Sequence, residues 1–163
     1  MRTIHEDYLR SGLFGLQDGL VSTTGVVVGI STGVQNKEIV ILAVLVAVMV
    51  EASSMAAGQY SSEKAVHQMD KTGRHNDSLL VGSIIMFISY LLAGLIPISP
   101  LFLFNISDTR VISILFAFIS LFIIGYVKGK IVEDKPIRSA IELFVIGALA
   151  TGVGLIVGHF LKI

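Results

Sequence analysis

Apolar residues arrive in five long blocks, at about positions 9–33, 38–62, 79–98, 109–127 and 137–161, with short polar stretches between them. Each block is long enough to cross a bilayer, since about 20 mainly apolar residues cover a hydrocarbon core of roughly 30 Å as a helix. Lipid offers no partner to an open backbone, so blocks of this length predict helices rather than isolated strands. The pattern predicts an all-α polytopic membrane protein, a single transmembrane domain over positions 1–163 with five spans.

The boundaries carry helix punctuation. Asp77-Ser78 is placed to cap the third span and Asp108-Thr109 the fourth, and Pro136 falls in the first turn of the fifth, where a missing N–H costs nothing. Pro97 and Pro100 are expected to close the third span. The polar stretch Ser61 to Asp77 reads as an inner loop that begins as a helical extension of the second span. Ser99 to Ser107 reads as an outer loop, apolar enough to lie in the membrane interface.

Composition agrees with the pattern: 53% of the residues are hydrophobic and the mean hydropathy is +0.82. Twelve Lys and Arg balance twelve Asp and Glu, so neither a nucleic-acid footprint nor a general anionic partner is indicated. Their distribution is uneven. With the N-terminus inside, Arg2, Arg10, Lys64, Lys71, Arg74, Lys128, Lys130, Lys135 and Arg138 lie on the inner side, nine of the twelve, and only Lys37, Arg110 and Lys162 on the other. Basic residues collect in cytoplasmic loops, which predicts the N-terminus in the cytoplasm and the C-terminus outside or in a lumen. The opening MRTIHEDYLR carries Glu6 and Asp7 and no small-residue cleavage site, so no removable signal peptide is expected. There are no cysteines, which removes disulfides and thiolate ligands and leaves carboxylate, imidazole, thioether and amide as donors.

Two acids break the apolar blocks. Asp18 stands in GLQDGLVSTTGVVVGISTG, and Glu51 lies deep in the second block. An acid near the middle of a membrane helix costs roughly 2.5–3.5 kcal/mol on insertion scales, so it is by default a functional residue with a partner to be found. Helical spacing puts Gly15, Asp18, Ser22, Gly25 and Gly29 on one stripe, and Ala47, Glu51, Met55, Gly58 and Ser62 on another. Two carboxylates, a thioether and hydroxyls on small-residue faces read as a cation site at Asp18, Glu51 and Met55. The oxygen donors suit Mg²⁺, Ca²⁺ or Mn²⁺, and the thioether shifts the choice toward later first-row metals, with Fe²⁺ between. Gly25, Gly29 and Gly33 form a doubled GxxxG, read as helix packing or a dimer interface, and Gly154 and Gly158 repeat the spacing. Glu63, His67 and Asp70 share a face of the helical extension and offer a second, cytosolic metal-collecting site, against the commoner reading of a solvated face. Glu142, close to Pro136, reads as structural.

The segments GLFGLQDGLVSTTGVVVGIS and EASSMAAGQYSS together resemble the vacuolar iron transporter family, and the five-span length agrees. The resemblance implies a homodimer whose first helices line a path for Fe²⁺, and often Mn²⁺, moved out of the cytosol in exchange for protons. It also implies that Asp18, Glu51 and Met55 are the membrane metal-site residues. The chain departs from the family pattern twice: iron-transporting members typically carry a long glutamate-rich cytosolic domain where this chain has positions 61–77, and many have Glu where this chain has Gln59.

The resulting expectation is a proton-coupled antiporter of divalent transition metals, Fe²⁺ or Mn²⁺, that holds no resident cofactor. Its partners are the bilayer, metal ions, protons and a second copy, in a plasma membrane for a prokaryote and a vacuolar or other organelle membrane for a eukaryote. The rival is a membrane assembly or sensing subunit packed through its glycine faces. An enzyme is not expected, because His5, His67 and His75 fall in inner polar segments and His159 at the outer end, away from any membrane serine and acid.

Overall fold

The computed structural model describes residues 6–70, 78–132 and 135–161. Five helices account for almost all of them: α1 (Glu6–Gly33), α2 (Lys37–Met69), α3 (Leu79–Leu103), α4 (Ile106–Ile131) and α5 (Pro136–Phe160). All five are long and apolar enough to cross a membrane, and the chain is an integral membrane protein. α1 is the least apolar of the five and the most enclosed, with 39% of its spanning window buried against 22–33% in the others. It packs against every other helix, whereas α2 and α5 share no extensive contact. A polar, glycine-rich helix can occupy that central place because lipid need not solvate it.

Close approach explains the glycines. On one side of α1, a Cβ on Gly15 would lie 2.7 Å from the Met86 carbonyl oxygen of α3. On the other side, a Cβ on Gly25, Gly29 or Gly33 would sit 3.3, 3.0 and 3.2 Å from the carbonyl oxygens of Ala150, Gly154 and Gly158 on α5. The GxxxG row therefore packs within the chain, backbone against backbone, as small-residue membrane interfaces do. Within the chain, Gly25, Gly29 and Gly33 pack against the matching glycine row of α5.

The helix ends differ from expectation in instructive ways. α3 does not stop at Pro97 but continues to Leu103 with both prolines inside it. Pro100 cannot donate to the Ile96 carbonyl, and the Ser99 hydroxyl does so instead at 2.8 Å. Across the interface Ser113 and Thr109 of α4 donate to the carbonyls of Pro97 and Pro100 at 2.8 and 3.2 Å. Hydroxyl groups nearby make prolines tolerable in a membrane helix. The connection between α3 and α4, expected over positions 99–107, consequently shrinks to Phe104 and Asn105. α4 begins after Asn105, so Asp108 lies in its first turn, where its charge complements the helix dipole. Ser78 is the N-cap of α3 without a side-chain cap bond, and Asp77 lies outside the described residues. Pro136 opens α5 as expected. The expected extension of α2 is present as far as Met69, and Asn36 caps its start by accepting from the N–H groups of Glu38 and Ile39 at 3.0 and 3.1 Å, an arrangement usually worth about 1 kcal/mol.

Candidate functional site

The polar face of α1 meets α2 and α3 at mid-height. Val40, Val44, Val48 and Ala52 form the buried stripe of α2, which turns Glu51 toward the edge of that contact, next to α1. There the Ser22 hydroxyl donates to Glu51 Oε2 at 3.0 Å. The phenol of Tyr90, on α3, donates to the same carboxylate oxygen and also lies in hydrogen-bond contact with Ser22 Oγ. Tyr90 is completely buried, held by the backbone contact at Gly15 and Gly19 that brings α3 against α1. Three helices thus each contribute one polar group to a single point.

Asp18 stands one turn before Ser22 and close enough to Glu51 for the two carboxylates to repel. A proton or a cation relieves the repulsion. Among the described residues no hydrogen-bond donor reaches Asp18, so its oxygens keep their full capacity to accept. Met55 follows Glu51 by one turn, half-buried, and packs against the Val44, Ala52 and Tyr90 cluster. No three Asp, Glu or His side chains gather at one point among the described residues. Within one chain a cation at this place would find two carboxylates, Asp18 and Glu51, with hydroxyl and thioether donors to complete its shell.

Because α2 and α5 share no extensive contact, part of the α1 face between them is open. A groove of about 710 Å³ runs along it from Ser22 past Gly25 and Gly29 to Gly33, flanked by Ala47 on α2 and by Val153 and Val157 on α5. Its inner end is Ser22, the residue that holds Glu51.

The expected collecting residues have other engagements. Glu63 is 5% exposed, ion-paired with Arg10 of α1 and hydrogen-bonded by Gln59 at 3.1 Å. His67 lines the same small pocket, and Asp70 forms the end of α2, its N–H on the Val66 carbonyl. Among the described residues no group of three such side chains that could hold a metal is formed here. Glu142 and His159 are exposed on α5.

Tyr90 was not foreseen from the sequence. Its signal is weak, one hydroxyl in an otherwise apolar run, and only the packing of α3 on α1 reveals its partner.

Comparison with known proteins agrees with this architecture. The family model described as VIT family matches residues 9–81 and 65–159. Vacuolar iron transporter 1 of Arabidopsis thaliana is 43% identical over 65 residues, and its counterpart in Eucalyptus grandis is 35% identical over the same length; each match takes in 39% of this chain and 26% of the relative. The aligned part of the chain thus spans about a quarter of these plant proteins. An uncharacterized protein of Methanocaldococcus jannaschii is 28% identical over 158 residues, 85% of this chain and 82% of its own length. The two segments matched by the family model leave out only the ends of the chain, and the protein belongs to the VIT family.

Proposed function

We propose that this protein is a proton-coupled antiporter that carries divalent transition metal ions, Fe²⁺ or Mn²⁺, out of the cytosol, with Asp18, Glu51 and Met55 as the metal-binding residues. The observation that carries the reading is the pair of acids in the membrane, Asp18 on α1 and Glu51 on α2, near enough to interact electrostatically and, among the described residues, ion-paired with no basic side chain. Metal relieves their repulsion on one side of the membrane and protons relieve it on the other. Both compete for the same oxygens, because a metal ligand must be deprotonated to bind. The competition is the coupling: a near-neutral compartment loads the metal and an acidic one displaces it.

The names of the plant relatives support iron as one cargo. Manganese rests on the oxygen-rich donor set, which suits the harder ion as well. The excess of basic residues on the N-terminal side supports an N-inside orientation, with Glu63 and His67 at the cytosolic mouth. A second copy seated on the uncovered α1 groove would place two Ser22–Glu51 sites near a common axis, and the gap between α2 and α5 is the support for the homodimer. The rival reading, a packing subunit, leaves the two membrane acids without a use.

Uptake of Fe²⁺ and Mn²⁺ into proteoliposomes tests the proposal. Asp18→Asn preserves shape and removes the charge, so it should abolish uptake, and Glu51→Gln should abolish it or reduce it at least tenfold. Wild-type protein that moves neither ion, or an Asp18→Asn protein that moves both normally, would remove the transport reading from these residues.

A further inference from the structure

At the N-terminal end of the bundle three ties cross from α1 to its neighbours. Arg10 is ion-paired with Glu63 of α2. One turn deeper, Gln59 of α2 donates to Ser11 Oγ at 2.8 Å and, with the same amide, to Glu63 at 3.1 Å. Tyr8 accepts the Ser78 N–H at 2.8 Å and so anchors the start of α3. The space left beside Tyr8, Ser11, Gln59, Glu63 and Ser78 is about 10 Å³, room for about one water. A hydrated divalent ion does not pass.

The ion pair is lopsided. The Glu63 side chain is 6% exposed, the Arg10 side chain 60%. Arg10 also has Asp7 beside it at 3.7 Å, so its guanidinium has water and a second carboxylate to turn to. Among the described residues Glu63 is held by Arg10 and by the Gln59 amide, of which only Arg10 is an ion-pair partner, and a buried carboxylate deprived of its cation is strongly disfavoured. The protein has thus filled a cation seat at the mouth with a side chain that can leave it.

We propose that the Arg10–Glu63 pair, backed by Gln59 and Ser11, is the gate that closes this mouth of the path, and that it opens when an incoming divalent cation takes the guanidinium's place on Glu63. The proposal rests on the transport reading only in calling the mouth part of a path. Glu63 then serves as a relay ligand and Arg10 as its tethered competitor, which accounts for a buried acid at this end being paired rather than solvated. Gln59, which holds both Ser11 and Glu63, keeps the carboxylate in place during the exchange.

The absence of native cysteines makes accessibility easy to read. Ser11→Cys introduces one near-isosteric thiol at a position 1% exposed, and its rate of reaction with a charged maleimide in nanodiscs reports on the gate without any transport taking place. Adding Arg10→Gln strands Glu63, and labelling should speed up about tenfold or more. Glu63→Gln leaves no buried charge to expel and should open the mouth less. The exchanged pair, Arg10→Glu with Glu63→Arg, should restore protection and so separates gating from damage to the fold. Millimolar Mn²⁺ should accelerate labelling when the native pair is present and have no effect once Glu63 is Gln. Labelling unchanged by Arg10→Gln, an exchanged pair as reactive as the single variant, or no response to Mn²⁺ would overturn the proposal. Because nothing need be transported, a protein that proved to be no transporter would leave these outcomes readable.

Discussion

Tyr90 brings the third helix to the acid. A hydrogen bond to a charged group contributes about 1.5–3 kcal/mol, and the phenol shares Glu51 Oε2 with Ser22. Tyr90→Phe keeps the ring and its packing, so the protein should fold, with Glu51 held by Ser22 alone. The metal concentration for half-maximal uptake should rise several-fold, and a Tyr90→Phe protein with wild-type concentration dependence would show the phenol to be a bystander. Met55→Leu is a second single-atom question, since it removes the sulfur at nearly constant volume. If the thioether is a ligand, uptake of Fe²⁺ and Co²⁺ falls more than that of Mn²⁺, which prefers oxygen; equal loss of all three, or none, takes Met55 out of the site. The acids themselves were legible because a charge in an apolar run has no bland explanation cheap enough to ignore. Tyr90 was not, since a tyrosine in a membrane helix is ordinarily packing and its partners lie 68 and 39 residues away along the chain.

At the scale of the helix, glycine rows and prolines behaved differently from their sequence signatures. A GxxxG row announces close packing but not against what, and that α5 supplies a partner depends on tertiary contacts that spacing does not encode. Pro97 and Pro100 read as terminators because the rule concerns the backbone alone, whereas the Ser99 hydroxyl takes the Ile96 carbonyl that Pro100 leaves open, and Ser113 and Thr109 tie the prolines' own carbonyls to α4. By contrast, Pro136 and the extension of α2 followed local rules and were readable. The packing gives a directional prediction. Any side chain beyond a methyl at Gly29 must push α5 away, because a Cβ there already lies 3.0 Å from the Gly154 carbonyl oxygen, and overpacking commonly costs about 1–3 kcal/mol. Gly58 has nothing within 4 Å of the same atom, so an added methyl gains helix propensity of about 0.5–1 kcal/mol. Thermal unfolding followed by circular dichroism in detergent should show Gly29→Leu destabilised and Gly58→Ala unchanged or improved. The reverse order would mean that α1 and α5 are not packed as described.

For the molecule as a whole, the number of spans was readable from hydropathy, but their arrangement was not. That α1 is central, and that α2 and α5 leave a groove along it, follows from which small residues meet which, and no single helix carries that information. The groove also makes the homodimer testable: single cysteines at Val26 or Ile30, which line it, should crosslink between copies, whereas one at Leu149, exposed on another face of α5, should not. Crosslinking only at Leu149 would place the interface elsewhere.

The central claim is that Asp18 and Glu51 exchange a divalent metal for protons. The most direct measurement records metal uptake and lumenal pH together in proteoliposomes with an acidic interior. The account predicts that metal enters as the interior becomes less acidic, that collapsing the pH gradient slows uptake at least several-fold, and that Asp18→Asn abolishes both signals. Metal entry with no accompanying proton movement, at a rate indifferent to the gradient, would contradict it.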